Sequence, residues 1–79
     1  MLVPLYGFLR GDTVGLVVLV HDHQTIADVA VSLQQAAAVR VAPSRRARVF
    51  AGERVLDPAL TVKAAGLTAL DRIDVVPEN

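Results

Sequence analysis

The chain has no cysteine, no tryptophan and only three aromatic residues, Tyr6, Phe8 and Phe50. Without thiols, and with only two histidines, neither a disulfide nor a structural zinc site can staple the fold. The lack of cysteine fits a reducing compartment. Charge of neither sign is in excess, because Lys and Arg total eight and so do Asp and Glu. Nucleic-acid-binding domains usually carry a clear basic surplus, so this balance speaks against that class. Long apolar runs are also missing. The longest uninterrupted one, Leu16 to Val20, falls far short of the ~20 residues that a spanning helix needs. The segment Met1-Leu2-Val3-Pro4-Leu5-Tyr6 lacks a basic stretch followed by a long apolar one. No signal peptide and no membrane span are therefore expected, and a cytoplasmic location is.

What the chain does have is aliphatic side chains. Of its 79 residues 53% are hydrophobic, and with so few aromatics the excess is Val, Leu and Ala. This length makes one domain, residues 1–79, with a thin stability margin. One small core does not need that much apolar surface. The remainder must face solvent or a partner.

Leu2 to Leu9 is mostly apolar and ends at the turn Arg10-Gly11-Asp12, and a β-branched run from Thr13 to His21 follows. Two such runs joined by a short Gly-containing loop read as a hairpin. Thr25 and Asp28 have the spacing of a capping box, with Asp in place of the usual Glu or Gln. Behind them Ile26, Val29, Ala30, Leu33 and Ala37 mark one helical face, predicting a helix from Ile26 to Ala38 that ends before Pro43. Ala47 to Phe50 reads as a third strand with Phe50 assigned to the core, turning at Ala51-Gly52-Glu53-Arg54. Val55-Leu56 forms a short edge strand stopped by Asp57-Pro58, and Thr61 to Ala65 a helical turn closed by Gly66. Ile73 to Val76 is the last strand.

This order, and above all Val49-Phe50-Ala51-Gly52-Glu53-Arg54-Val55-Leu56-Asp57 followed by Leu60-Thr61-Val62 and Ile73-Asp74-Val75-Val76, resembles the second half of ubiquitin. The implied fold is α+β, a ubiquitin-like β-grasp in which a mixed sheet wraps around one helix. The resemblance places the last strand centrally, beside the first.

Laid on that fold, Leu16, Val18 and Val20 point inward and Val17 and Leu19 outward. In the first strand, either Leu5/Gly7/Leu9 or Tyr6/Phe8 faces the core, and the other set adds apolar surface outside. Opposite the helix's core stripe lie Ala27, Val31, Gln34, Gln35 and Ala38, none of them charged. Scattered exposed valines are ordinary in small proteins. Two faces without Lys or Glu point instead to a permanent interface, since obligate interfaces are the more apolar kind. Arg40, Arg45, Arg46 and Arg48 cluster around Val41-Ala42-Pro43-Ser44 and read either as a solvated loop or as a docking patch for carboxylates or phosphate. The expected partner contacts are thus Val17, Leu19, Val31, Arg40, Arg45 and Arg46.

Signals for chemistry are weak. His21 and His23 lie at i and i+2 around Asp22, but a third ligand is missing and the segment reads as a polar loop. No catalytic triad order, Gly-rich phosphate loop or Glu-x-x-His motif occurs. Asp71 and Asp74 read as turn and edge solvation rather than as an acid–base pair. Catalytic, cofactor-binding and metal-binding residues are therefore not expected. Conjugation and sulfur transfer need a terminal Gly-Gly, whereas this chain ends Val76-Pro77-Glu78-Asn79.

A narrower resemblance rests on Leu16 to Val20, Asp28-Val29-Ala30, Arg40-Val41-Ala42-Pro43, Ala65-Gly66-Leu67 and Ile73-Asp74-Val75-Val76. Together these resemble the toluene-4-monooxygenase system protein B family, the small gamma subunit of bacterial multicomponent monooxygenase hydroxylases. The resemblance implies a non-catalytic subunit that binds a large helical subunit carrying a di-iron centre, alongside a second hydroxylase subunit. The assembly would use O₂ and electrons from NADH, delivered by a Rieske ferredoxin and reductase, to oxidise aromatic hydrocarbons or alkenes. The alternative reading is a stand-alone ubiquitin-like adaptor of a bacterial secretion system. A ligand- or RNA-binding β-grasp domain is the third, disfavoured by the scattered acids.

Overall fold

The computed structural model describes residues 1–78; Asn79, the last residue of the sequence-read domain and terminus, lies outside them. The chain runs β1 (Leu2–Leu9), β2 (Gly15–His21), α1 (Ile26–Ala36), β3 (Arg46–Ala51), β4 (Arg54–Leu56) and β5 (Arg72–Glu78). The five strands form one sheet in the order β2-β1-β5-β3-β4. The β1 and β5 strands pair in parallel and every other pair is antiparallel. This is the mixed sheet and single helix of a β-grasp.

The helix starts where the sequence places it. Thr25 Oγ1 accepts a bond from the Asp28 N–H, and Asp28 Oδ2 accepts one from the Thr25 N–H, both at 3.2 Å. Two further orphan donors of the first turn are met from across the molecule. The Ile26 N–H donates to the Leu60 carbonyl at 2.8 Å and the Ala27 N–H to that of Pro58 at 3.1 Å. The expected stripe Ile26, Val29, Ala30, Leu33 and Ala37 is buried throughout. At the other end the helix stops at Ala36 rather than Ala38, with Ala37 as its cap. The Arg40 and Val41 N–H groups both donate to the Ala37 carbonyl, which turns Val41 back against the core.

Helix and sheet meet closely at Gly7. A Cβ placed there would lie 2.9 Å from both Leu33 methyl carbons, so a side chain would displace Leu33 from its seat on β1. Around this contact Leu5, Leu33, Val20, Ile73 and Val75 are fully buried, with Val62 and Leu67 closing the end of the core. The helical turn before Gly66 is built as the sequence suggests. The Ala65 N–H donates to the Thr61 carbonyl and the Ala64 N–H to Thr61 Oγ1.

Strands β3 and β5 run longer than expected. β3 gains a residue at each end, and β5 continues through Pro77 to Glu78. Proline is tolerated there because β1 reaches only as far as Val75, leaving β5 with β3 as its one strand neighbour.

Replacing Leu33 by Ala opens the space above Gly7 and should lower stability by about 2–5 kcal/mol, whereas Thr25→Ala should cost about 1 kcal/mol. Urea unfolding measures both. Equal losses would mean that the Leu33 contact does not organise the core.

Candidate functional site

Strand alternation sends one set of side chains to the helix and the other to an uncovered face. Leu5, Leu9, Val18, Val20, Val49, Ile73 and Val75 face the helix. Leu2, Pro4, Tyr6 and Phe8 of β1 therefore share the opposite face with Val17 and Leu19. Direct cross-strand pairs join Tyr6 to Val17 and Pro4 to Leu19. Val17 and Leu19 are 60% and 65% exposed, and Leu2, Tyr6 and Val55 are exposed as well. Both predicted sheet-face residues thus lie where the alternation puts them, on the edge strand.

The aromatic side chains resolve the open alternative in β1. The Tyr6 and Phe8 rings point outward, their centroids 4.8 Å apart and tilted by 50°. They lie over Gly15, where a Cβ would come within 2.7 Å of each ring. The Arg72 guanidinium stacks 4.1 Å above the Phe8 ring and is held by Asp74, whose oxygens accept from its Nε and Nη2 at 3.3 and 3.1 Å. Phe50 is not a core residue. Its neighbour Val49, paired with Val75 and Leu56, takes the inward position and leaves Phe50 on the outer face opposite Val55. Tyr6, Phe8, Phe50 and Val55 thus join the candidate surface. The signal that could have found them is the pairing of Phe8 with Gly15, a glycine over which a ring can lie.

The helix's outer face needs one correction. Ala27, Val31, Gln35 and Ala38 are exposed, but Gln34 is 4% exposed. Its Oε1 accepts the Ser44 N–H at 2.7 Å, tying α1 to the segment that enters β3. Beside this tie the helix, the start of β3, β4 and Pro58 enclose an open groove of about 410 Å³. Val31, Arg45 and Arg46 all line it. The six predicted contact residues therefore divide into three places.

Arg40 stands alone. Its Nε and Nη2 donate to the two Asp12 carboxylate oxygens at 2.8 and 2.9 Å, a two-pronged contact between the β1–β2 loop and the end of the helix. The Asp12 side chain is 1% exposed. Arg40's hydrogen bonds, and secondarily its charge, hold the Asp12 carboxyl below its ordinary 3.8 against the opposing effect of burial. The same hydrogen bonds raise Arg40. Arg48 is likewise engaged, donating from Nε to Glu78 Oε1 at 2.8 Å. Arg45 and Arg46 have no carboxylate within ion-pair distance among the described residues.

His21 and His23 lie with ring centroids 5.0 Å apart at the surface. Among the described residues no three His, Cys, Asp or Glu side chains converge as metal ligands, and this set does not fit a di-iron centre. No helix among them is long and apolar enough to cross a membrane.

A five-stranded mixed sheet on one helix defines a ubiquitin-like β-grasp fold, here with an apolar outer face. The chain belongs to the toluene-4-monooxygenase system protein B family, whose model matches residues 2–76. By family it is a small component of a monooxygenase system. Among solved structures it is similar to a chain of the toluene 4-monooxygenase HD complex with the inhibitor 4-bromobenzoate. That match has 22% identity and a TM-score of 0.87 over 99% of this chain and 100% of that one. It is also similar to the ubiquitin of Caldiarchaeum subterraneum, at 16% identity and TM-score 0.78 over 100% and 96%. The ubiquitin-like domain of the Mycobacterium tuberculosis type VII secretion protein ECCD1 follows at 9% and 0.67, over 96% and 98%. At these identities the structural matches establish the fold. No curated protein sequence matches the chain.

The Asp12–Arg40 contact carries a pH signature. Because the folded state lowers the Asp12 pKa from 3.8, its stabilisation is complete above that value and is lost as pH falls through the folded value. Asp12→Asn should weaken the fold at neutral pH and flatten the acid limb of thermal stability. Parallel acid limbs for the two proteins would mean that another carboxylate dominates.

Proposed function

We propose that the chain is the non-catalytic small subunit of a di-iron multicomponent monooxygenase hydroxylase that oxidises aromatic hydrocarbons or alkenes. It binds the large catalytic subunit through the outer face of its sheet. The observation that carries this reading is the uncharged apolar edge of that face, in a chain of this family. Strand β2, Gly15–His21, has no Lys, Asp, Glu or Pro and sits at the sheet edge. Exposed edges are normally guarded by such residues, so an unguarded one is best accounted for by permanent cover.

The chemistry of such a system would belong to the partner. O₂ activation needs the iron centre of the large subunit, with electrons from NADH through a Rieske ferredoxin and reductase. This chain contributes surface. Covering Leu19 alone would stabilise the complex by roughly 1.5–3 kcal/mol, on the usual value for burying a Leu side chain. Arg72, Asp74, Arg48 and Glu78 cross the same face as internally matched pairs, so they bring no net charge to the contact. A second hydroxylase subunit completes the proposed assembly, which would be cytoplasmic.

Tagged chain recovered from its native host should carry a large iron-containing helical subunit at equal stoichiometry. A clean monomer without iron would overturn the reading and favour the stand-alone adaptor. Leu19→Lys should abolish or weaken recovery by at least about tenfold, equivalent to about 1.4 kcal/mol, while the isolated chain stays within about 0.5 kcal/mol of wild type because the position is exposed. Normal recovery of that variant would place the contact elsewhere.

A further inference from the structure

We infer that the groove between α1 and the start of β3 binds an acidic segment of a partner protein, one apolar side chain filling the groove and flanking carboxylates meeting Arg45 and Arg46. This inference goes beyond the hydroxylase reading and does not depend on it. The groove opens on the helix side of the sheet, away from Val17 and Leu19, so both surfaces can be occupied at once.

Three observations choose the occupant. The walls are aliphatic, with Ala27 and Val31 on the helix facing Val49, Leu56 and Pro58. Their volume, about 410 Å³, lies toward the lower end of the ~300–1,000 Å³ found for binding pockets. The rim carries Arg45, Arg46 and Arg48 against a single acid, Glu78, so it keeps an excess of positive charge. The chain is neutral overall, yet Asp12 takes Arg40 and Glu78 takes Arg48, leaving Arg45 and Arg46 unmatched among the described residues. Guanidinium forks match carboxylates two-to-two, so the missing charge is supplied best by Asp or Glu.

The rim is also held in place before anything binds. Gln34 fixes the Ser44 N–H, and Ser44 Oγ in turn lies 2.9 Å from the Arg46 carbonyl and 2.7 Å from that of Glu78. Arg45 is thus flanked on both sides by anchored backbone, which reduces the ordering that binding requires. Nucleic acid fits less well. The groove has no aromatic ring on which a base could stack, because Tyr6, Phe8 and Phe50 all lie on the other face of the sheet.

The test is an amide-shift titration of the isotope-labelled full chain with the capped peptide Glu-Glu-Leu-Leu-Glu-Glu-Leu. A control peptide carries Lys at every Glu. The acidic peptide should shift the amides of Val31, Ser44, Arg45 and Arg46 and leave those of Val17 and Leu19 in place. The double variant Arg45→Glu/Arg46→Glu should bind at least about tenfold more weakly, with an unchanged spectral dispersion showing that it is folded. Leu19→Lys should bind like wild type, which separates this site from the sheet face. Absence of shifts, shifts on the sheet face, or equal response to the Lys peptide would each overturn the inference. Tighter binding of an oligothymidylate at the same amides would overturn it too, assigning the groove to nucleic acid.

Discussion

One helix can cover only one face of a sheet. Everything distinctive here follows from that geometry. The 11 residues of α1 lie across the inner face, where Leu33 settles onto Gly7 so closely that any Cβ there would force the Leu33 side chain to move. That contact fixes which side of β1 faces inward, and pairing with β2 and β5 carries the choice across the sheet. A one-residue slip would exchange Leu5 and Leu9 for Tyr6 and Phe8. The outer face must therefore take whatever apolar residues the inner one leaves over.

A polar face would be the ordinary answer to that leftover position. Here it is filled by Leu2, Pro4, Val17, Leu19 and two stacked aromatic rings, with Arg72–Asp74 and Arg48–Glu78 as matched pairs. Such a surface is costly for a free domain and favourable in an assembly. Membership of a monooxygenase-system family gives the surface a natural setting.

The charged residues divide in the same physical way. Burial of the Asp12 carboxylate demands a partner, and Arg40 meets it with two hydrogen bonds where the last helical turn unwinds. Arg40 therefore stabilises the joint between hairpin and helix. Arg45 and Arg46 sit only a few residues further on, at a groove whose one acid, Glu78, is already paired with Arg48. Four arginines that look alike in sequence thus have three different fates: one clamps, one pairs with Glu78, and two have no ion pair among the described residues.

Local order was legible from the residues alone. The Thr25–Asp28 capping box, the Ile26–Ala37 stripe, the alternation of Leu16 to Val20 and the turns at Gly11, Gly52 and Gly66 each act within a few positions, so spacing is enough to reveal them. The outward placement of Val17, Leu19 and Val31 was legible for the same reason. Phe50, Gln34 and Arg40 were not, because their roles depend on residues distant in the chain. Phe50 is turned outward by Val49 packing under Val75, Gln34 is drawn inward by Ser44, and Arg40 is claimed by Asp12, 28 positions away. Spacing along a chain fixes which side of an element is apolar. Only the closing of the sheet around the helix decides what each polar side chain meets there.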